Sequence, residues 1–136
     1  MYLICVGGGE FTPFEKRLMT EMKERVLHIN ATEAQLKYLY SHAMEFVFPS
    51  KYDGFGIPFV EAFSCGCPVV LSDASCFGEI AQDAAIYFNP DSVADMEDKM
   101  EKIMLDRQLR KCNIDKGLKR SDDFSWENST KQMHKA

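Results

Sequence analysis

Two carboxylates eight positions apart, Asp53 and Glu61, bracket a loop with two glycines, Gly54 and Gly56. A helix is expected to begin just beyond, near Pro58. Backbone N–H groups in the first turn of a helix have no partner within it, and the positive end of the helix dipole favours an anion there. Glycines without Cβ atoms let a ligand come close to the backbone. Pro58 costs little, because its missing N–H falls in that same turn. The loop suits a phosphate. Acids beside a phosphate make sense when the ligand also carries hydroxyls, since a carboxylate can accept two hydrogen bonds from a vicinal diol. Diphosphate on the loop and sugars on Asp53 and Glu61 describe a nucleotide-sugar. A plainer reading stays open on local chemistry, with Asp53 as a turn former and Glu61 as an ordinary carboxylate near a helix N-terminus.

The elements that must position these residues alternate between strands and helices. Residues 2–6 form an apolar run closed by Gly7, Gly8 and Gly9, a buried strand entering a tight loop. Thr12, Pro13 and Glu15 combine an N-cap, a first-turn proline and a capping box, with Phe14, Leu18 and Met22 as the apolar stripe. Residues 26–29 are the second strand, and Thr32 with Gln35 starts a helix lined by Leu36, Leu39, Tyr40 and Ala43. Residues 45–48 form the third strand and run into the glycine loop. The helix after it spans about 58–65, stopped by Gly66. Strands at 68–71 and 85–88 flank a short helix around 79–82. Ser92 caps a helix with Val93, Met96, Met100, Ile103 and Met104 inward. A further helix runs to about 119, and Ser125 caps a last one at Trp126. Strand–helix–strand repetition with crossovers of this length predicts a doubly wound α/β fold with a parallel sheet, as one domain over 1–136. In such sheets ligands bind beyond the carboxyl ends of the strands. The loops at 7–10, 30–32 and 50–57 leave those ends.

Composition narrows the partners. The 136 residues carry 16 Lys and Arg against 21 Asp and Glu, a formal net charge of −5. That balance disfavours a broad nucleic-acid surface, which needs a basic face, but permits one small anion pocket. No apolar run approaches the roughly 20 residues of a membrane span, and no signal-peptide layout opens the chain. Five scattered cysteines (Cys5, Cys65, Cys67, Cys76, Cys112) include no C-x-x-C pair, and His28, His42 and His134 lie far apart. We therefore expect no metal site, cysteines that serve as small reduced core residues, and a cytoplasmic chain. The N-x-[ST] matches at Asn30 and Asn128 are then coincidental.

With the acids and the glycine loop placed, the stretch from Phe48-Pro49-Ser50 through Asp53-Gly54-Phe55-Gly56-Ile57-Pro58 to Glu61-Ala62-Phe63 resembles the signature of retaining GT-B glycosyltransferases, family 4 above all. There the two acids form an E-x7-E motif. Cys65-Gly66-Cys67-Pro68-Val69-Val70, Ser72-Asp73, Gly78-Glu79-Ile80 and Phe124-Ser125-Trp126 resemble motifs that follow in the same order. The resemblance implies the C-terminal, Rossmann-like donor-binding domain of such an enzyme. It implies transfer of a hexose from a GDP- or UDP-hexose donor to an acceptor hydroxyl with retention, in bacterial polysaccharide or lipopolysaccharide synthesis, without a cofactor or metal. Asp53 takes the place of the acid near the donor sugar and is the candidate catalytic residue, holding that sugar rather than acting as a base. Glu61 takes the place of the acid that binds the ribose. Gly54, Phe55, Gly56 and Ile57 fall where backbone amides meet sugar and diphosphate. Gly7, Gly8, Gly9 and Asn30 fall where the nucleotide pocket is lined.

Three departures stand out: Asp53 where the family has Glu, Gly78 where it has Pro, and Asn30 where Gly is common. Against the family's layout, the chain begins after the domain's first strand and helix, with their basic loop, and after the N-terminal acceptor domain, its expected partner. The isolated 136 residues are then expected to transfer no sugar, and the complete enzyme to sit peripherally at the inner membrane face. The family's first strand is central, between the strands at 2–6 and 45–48. Its absence calls for direct pairing of those two or for a strand from a second copy, and we favour the homodimer. Lys51 is expected to be a plain exposed lysine. Two rival readings belong to other classes. A dinucleotide-binding domain at Val6-Gly7-Gly8-Gly9 would need a third glycine at position 12, which is Thr. A catalytically inactive nucleotide-binding or scaffold module would bind donor without transfer, or bind no nucleotide.

Overall fold

The computed structural model describes residues 2–6, 10, 12–22, 25–51, 57–74 and 77–124. It divides into two compact units, Met1–Leu36 and Lys37–Ala136, with the boundary inside a helix. The fold is α/β with parallel sheets throughout.

In the first unit β1 (Leu3–Val6) pairs in parallel with β2 (Val26–Ile29), from Leu3 opposite Val26 to Val6 opposite Ile29. Between them runs α1 (Pro13–Glu21). Its start is the expected capping box: the Thr12 N–H donates to the Glu15 carboxylate at 2.8 Å, and the Glu15 N–H to the Thr12 hydroxyl at 3.2 Å. The same exchange between Thr32 and Gln35, at 2.9 and 3.2 Å, starts α2 (Glu33–His42). The stripe of α1 does not become core, since Phe14, Leu18 and Met22 all stay exposed. Two strands of four residues offer too little surface to bury a helix face.

The second unit holds β3 (Phe46–Phe48), α3 (Ile57–Ser64), β4 (Val69–Ser72), α4 (Phe77–Ala81) with a 3-10 turn at Gln82–Ala84, β5 (Ile86–Phe88), α5 (Val93–Leu105) and α6 (Arg107–Asp122). The strand order is β3-β4-β5, all parallel. β4 is the middle strand and every residue of it is buried, which accounts for its unbroken Val-Val-Leu run. Phe48, Phe59 and Phe77 meet with ring centroids 5.5–6.0 Å apart, and Phe63 adjoins Phe59 at 5.8 Å. A second cluster joins Val70, Phe88 and Ile103 to Met96, Met100 and Leu109. Val93, expected on the inner side, is exposed instead. It is the first residue of α5, at the helix's open end.

Gly66 ends α3 at φ +73°, a left-handed backbone that glycine adopts without strain. The Gly66 N–H donates to the Phe63 oxygen and the Cys67 N–H to the Ala62 oxygen, both at 3.0 Å, which satisfies the last free carbonyls. Asp106 closes α5 and caps α6 by accepting from the Leu109 N–H at 3.0 Å. α6 packs on α3 with Gly117 against Phe63: a Cβ there would lie 2.9 Å from the ring. The helix expected from Ser125 lies outside the described residues.

Candidate functional site

The parallel strands of the second unit bring three chain segments to one sheet edge, beyond the carboxyl ends of β3, β4 and β5. The Ser72 side chain, fully buried at the end of β4, donates from Oγ to the backbone oxygen of Ser50, two residues past β3. The Asp73 N–H donates to the Phe88 oxygen at 2.8 Å. Lys51 Nζ lies 2.6 Å from Asp91 Oδ1, between half-exposed and exposed side chains, so the expected plain lysine is one arm of a surface ion pair. Asp91 is positioned by its N–H, which donates to Asn89 Oδ1 at 2.9 Å. The Asn89 N–H in turn donates to Asp95 at 2.7 Å. That backbone bond, followed by the Lys99 ammonium, holds the Asp95 carboxyl below the usual carboxylate range. The chain leaving β3 is thus fixed at Ser50 and Lys51, immediately before the glycine loop.

The loop residues Asp53, Gly54, Phe55 and Gly56 lie outside the described residues, as do Gly7, Gly8 and Gly9. Ile57 is the first residue of α3. The helix therefore starts one residue earlier than expected, and Pro58 takes its second position, where the absent N–H is still one of the unpaired four. Glu61 is the fifth residue and falls in the second turn rather than the first. It is exposed, and its backbone oxygen accepts from Ser64 Oγ at 2.7 Å. Asn30 follows β2 at its carboxyl end in the first unit and is exposed.

Glu61 lines a groove of about 900 Å³ together with Val60 and Ser64 of α3 and Lys116, Lys119 and Phe124 from the α6 side. The carboxylate is felt on α2: burial first, then the charge of Glu61, pushes the Tyr40 hydroxyl up. An exposed acid in an open groove can accept hydroxyl donors without the desolvation cost of a buried charge.

Several residues that shape this region had no expected place in it. Ser72 is seen in sequence only as part of a Ser-Asp pair. Arg120 donates from Nε to the Ile80 oxygen at 2.6 Å and from Nη2 to the Glu79 oxygen at 3.3 Å, tying α6 to the end of α4. Its guanidinium also pairs with Asp123 at 2.7 Å and lies 4.7 Å over the Phe124 ring. Gly78 is not required by space, since a Cβ there meets nothing within 4 Å. Cys5, Cys65, Cys67 and Cys112 are free thiols, and Cys76 lies outside the described residues. Cys112, expected in the core, is exposed on α6, whose buried residues are Asn113 and Gly117. Among the described residues no three His, Cys, Asp or Glu side chains gather as metal ligands. Among them, too, no helix is long and apolar enough to cross a membrane.

The family of glycosyl transferases group 1 matches residues 1–120. The chain belongs to it. This group 1 glycosyltransferase chain is 39% identical over 100 residues to the O-antigen chain mannosyltransferase B of Escherichia coli, a match that covers 74% of the chain and 26% of that protein. Its fold matches sucrose-phosphate synthase from Thermosynechococcus elongatus with a TM-score of 0.81 and 25% identity, over 98% of this chain and 37% of that one. It also matches the C-terminal domain of a group 1 family glycosyl transferase, LpcC, from Francisella tularensis, with a TM-score of 0.70 and 26% identity, over 85% of this chain and 66% of that one. The architecture is that of the GT-B enzymes. The chain spans about a quarter of the length of the E. coli relative.

Proposed function

We propose that this chain is the donor-binding part of a retaining hexosyltransferase that moves mannose from a nucleoside diphosphate to an acceptor hydroxyl in surface-polysaccharide synthesis. The observation that carries the reading is the pair of points that flank the glycine loop in the chain: Ser50 is tied to buried Ser72, and α3 starts at Ile57. The first-turn N–H groups of a helix that follows a parallel strand are the place for a diphosphate. Gly54, Phe55, Gly56 and Ile57 would meet the diphosphate and sugar, Asp53 would hold the sugar, and Glu61 the ribose diol. Gly7, Gly8, Gly9 and Asn30 would line the nucleotide pocket. In the reaction, the bond from the anomeric carbon to the diphosphate oxygen breaks and its electron pair leaves with the diphosphate. The acceptor oxygen bonds to the same carbon in the same configuration and gives up its proton to the departing diphosphate oxygen. The helix N-terminus would stabilise the charge that grows on the leaving group.

Mannose and polysaccharide follow the name of the E. coli relative. The donor is a GDP- or UDP-hexose, the acceptor site belongs to the rest of a longer enzyme, and the reaction runs on the cytoplasmic side. The test is transfer by the complete enzyme from GDP-mannose, with UDP-glucose as the comparison donor, and with the product's anomeric configuration read by NMR. Retained configuration is expected. Inverted product would overturn the retaining reading, and donor binding without transfer to any acceptor would favour an inactive binding module.

A further inference from the structure

We propose that Glu45 is a proton switch at the start of β3: its enclosed carboxyl packs as a neutral acid, and its ionisation loosens the strand end and the neighbouring turn out of α3. Glu45 stands one residue before β3, and both oxygens of its carboxyl are shut off from solvent without a hydrogen-bond partner among the described residues. The turn out of α3 lies near it, since Cys67 in that turn feels its charge. The Phe46 N–H donates to the Pro68 oxygen at 2.8 Å, fastening the residue after Glu45 to that turn. Cys67, in the same turn, is 1% exposed, and its thiol donates to the Pro68 oxygen at 3.5 Å.

Among the described residues, no positive charge is found to act on the Glu45 carboxyl. Cys67 feels the charge of Glu45, after burial and the neighbouring Cys65, and its thiol is pushed up to about 12, so it is neutral. Cys65 and Cys67 also act on Tyr40 of α2, as does Glu61 of α3, and the Tyr40 hydroxyl stays neutral for the same reason. These groups are neutral or acidic, and no ion pair to Glu45 is found among the described residues. An ionised carboxylate enclosed without a partner costs far more than the neutral acid. Burial accordingly pushes Glu45 from 4.5 up to about 7.

The sign of the effect follows. The folded form holds its proton more tightly than the unfolded chain, so stability is full below about 4.5, falls as pH rises, and levels off above about 7. The switch sits at the opposite ends of the two elements that flank the glycine loop in the chain, because β3 runs from Glu45 towards Ser50 and α3 from Ile57 towards the Cys67 turn. It operates whether or not the loop binds a donor.

The experiment is urea unfolding of the 136-residue chain at pH 5, 6, 7 and 8, for wild type and Glu45→Gln. The glutamine keeps the shape and cannot ionise, and other titrating groups cancel in the difference. Between pH 5 and 8 the wild-type folding constant should fall relative to Glu45→Gln by roughly tenfold or more. An unchanging gap would overturn the proposal. Should Glu45→Gln fail to fold, the wild-type Glu45 carboxyl carbon is followed by NMR. Titration near pH 7 supports the switch, and titration near 4.5 overturns it.

Discussion

Buried Ser72 at the end of β4 donates its hydroxyl proton to the backbone oxygen of Ser50, 22 residues earlier in the chain. The bond fixes where the chain leaves β3 and so where the glycine loop begins. Ser72→Ala should lower stability by about 1 kcal/mol, the net worth of a hydrogen bond with one partner left wanting. In the complete enzyme it should raise the donor KM more than it changes kcat, because a loosened loop binds less well before chemistry begins. Urea unfolding and steady-state kinetics measure the two effects, and an unchanged KM would separate this bond from donor binding.

Gly117 gives Phe63 its room between α3 and α6. A Cβ at 117 would lie 2.9 Å from Cδ1 and 3.6 Å from Cβ of the Phe63 side chain, so the whole buried side chain must move. Gly117→Ala should therefore destabilise by about 1–3 kcal/mol, the usual cost of overpacking, despite the better helix propensity of alanine. Thermal unfolding decides the sign. A stabilised variant would mean that the α3–α6 contact yields easily.

Arg120 joins α6 to the carbonyls of Glu79 and Ile80 with two separate nitrogens. Arg120→Lys keeps the charge but cannot reproduce the planar pair of donors. Loss of a charged hydrogen bond should cost about 1.5–3 kcal/mol, with hydrogen exchange rising first in α4. An equal rise across the whole chain would count against a local anchor.

The described thiols should react in order of exposure. At pH 8, iodoacetamide should label exposed Cys112 before half-buried Cys65. Cys67 should resist until the chain unfolds, because burial pushes its thiol up to about 12. Mass spectrometry of timed digests reads the order, and early labelling of Cys67 would contradict the packing of the α3–β4 turn.

What the sequence made legible is local. The capping boxes of Thr12 with Glu15 and of Thr32 with Gln35 span three residues each, and Gly66 follows its helix directly, so spacing alone reveals them. The acids and glycines of the candidate loop are also close in sequence, but Asp53, Gly54, Phe55 and Gly56 lie outside the described residues. The contacts that hold the loop's surroundings were not legible. Ser72 meets Ser50 across a crossover, Arg120 meets Ile80 over 40 positions, and Gly117 meets Phe63 only once two helices pack. Val93 and Cys112 show the opposite limit: an apolar or thiol side chain at a helical position implies a core place only where something covers it. Glu45 carries no signal at all in sequence, since an acid before a strand is ordinary until its oxygens are seen to be enclosed.

In the proposed function this chain holds the donor, with Glu61 accepting a diol of the nucleotide-sugar. That claim is tested most directly by kcat/KM for GDP-mannose in the complete enzyme, wild type against Glu61→Gln. Glutamine keeps the length of the side chain but gives up the charge, so the ratio should fall by an amount equivalent to about 1–3 kcal/mol, the scale of a charged hydrogen bond. Equal kcat/KM values in the two enzymes would contradict the claim and remove Glu61 from the donor site.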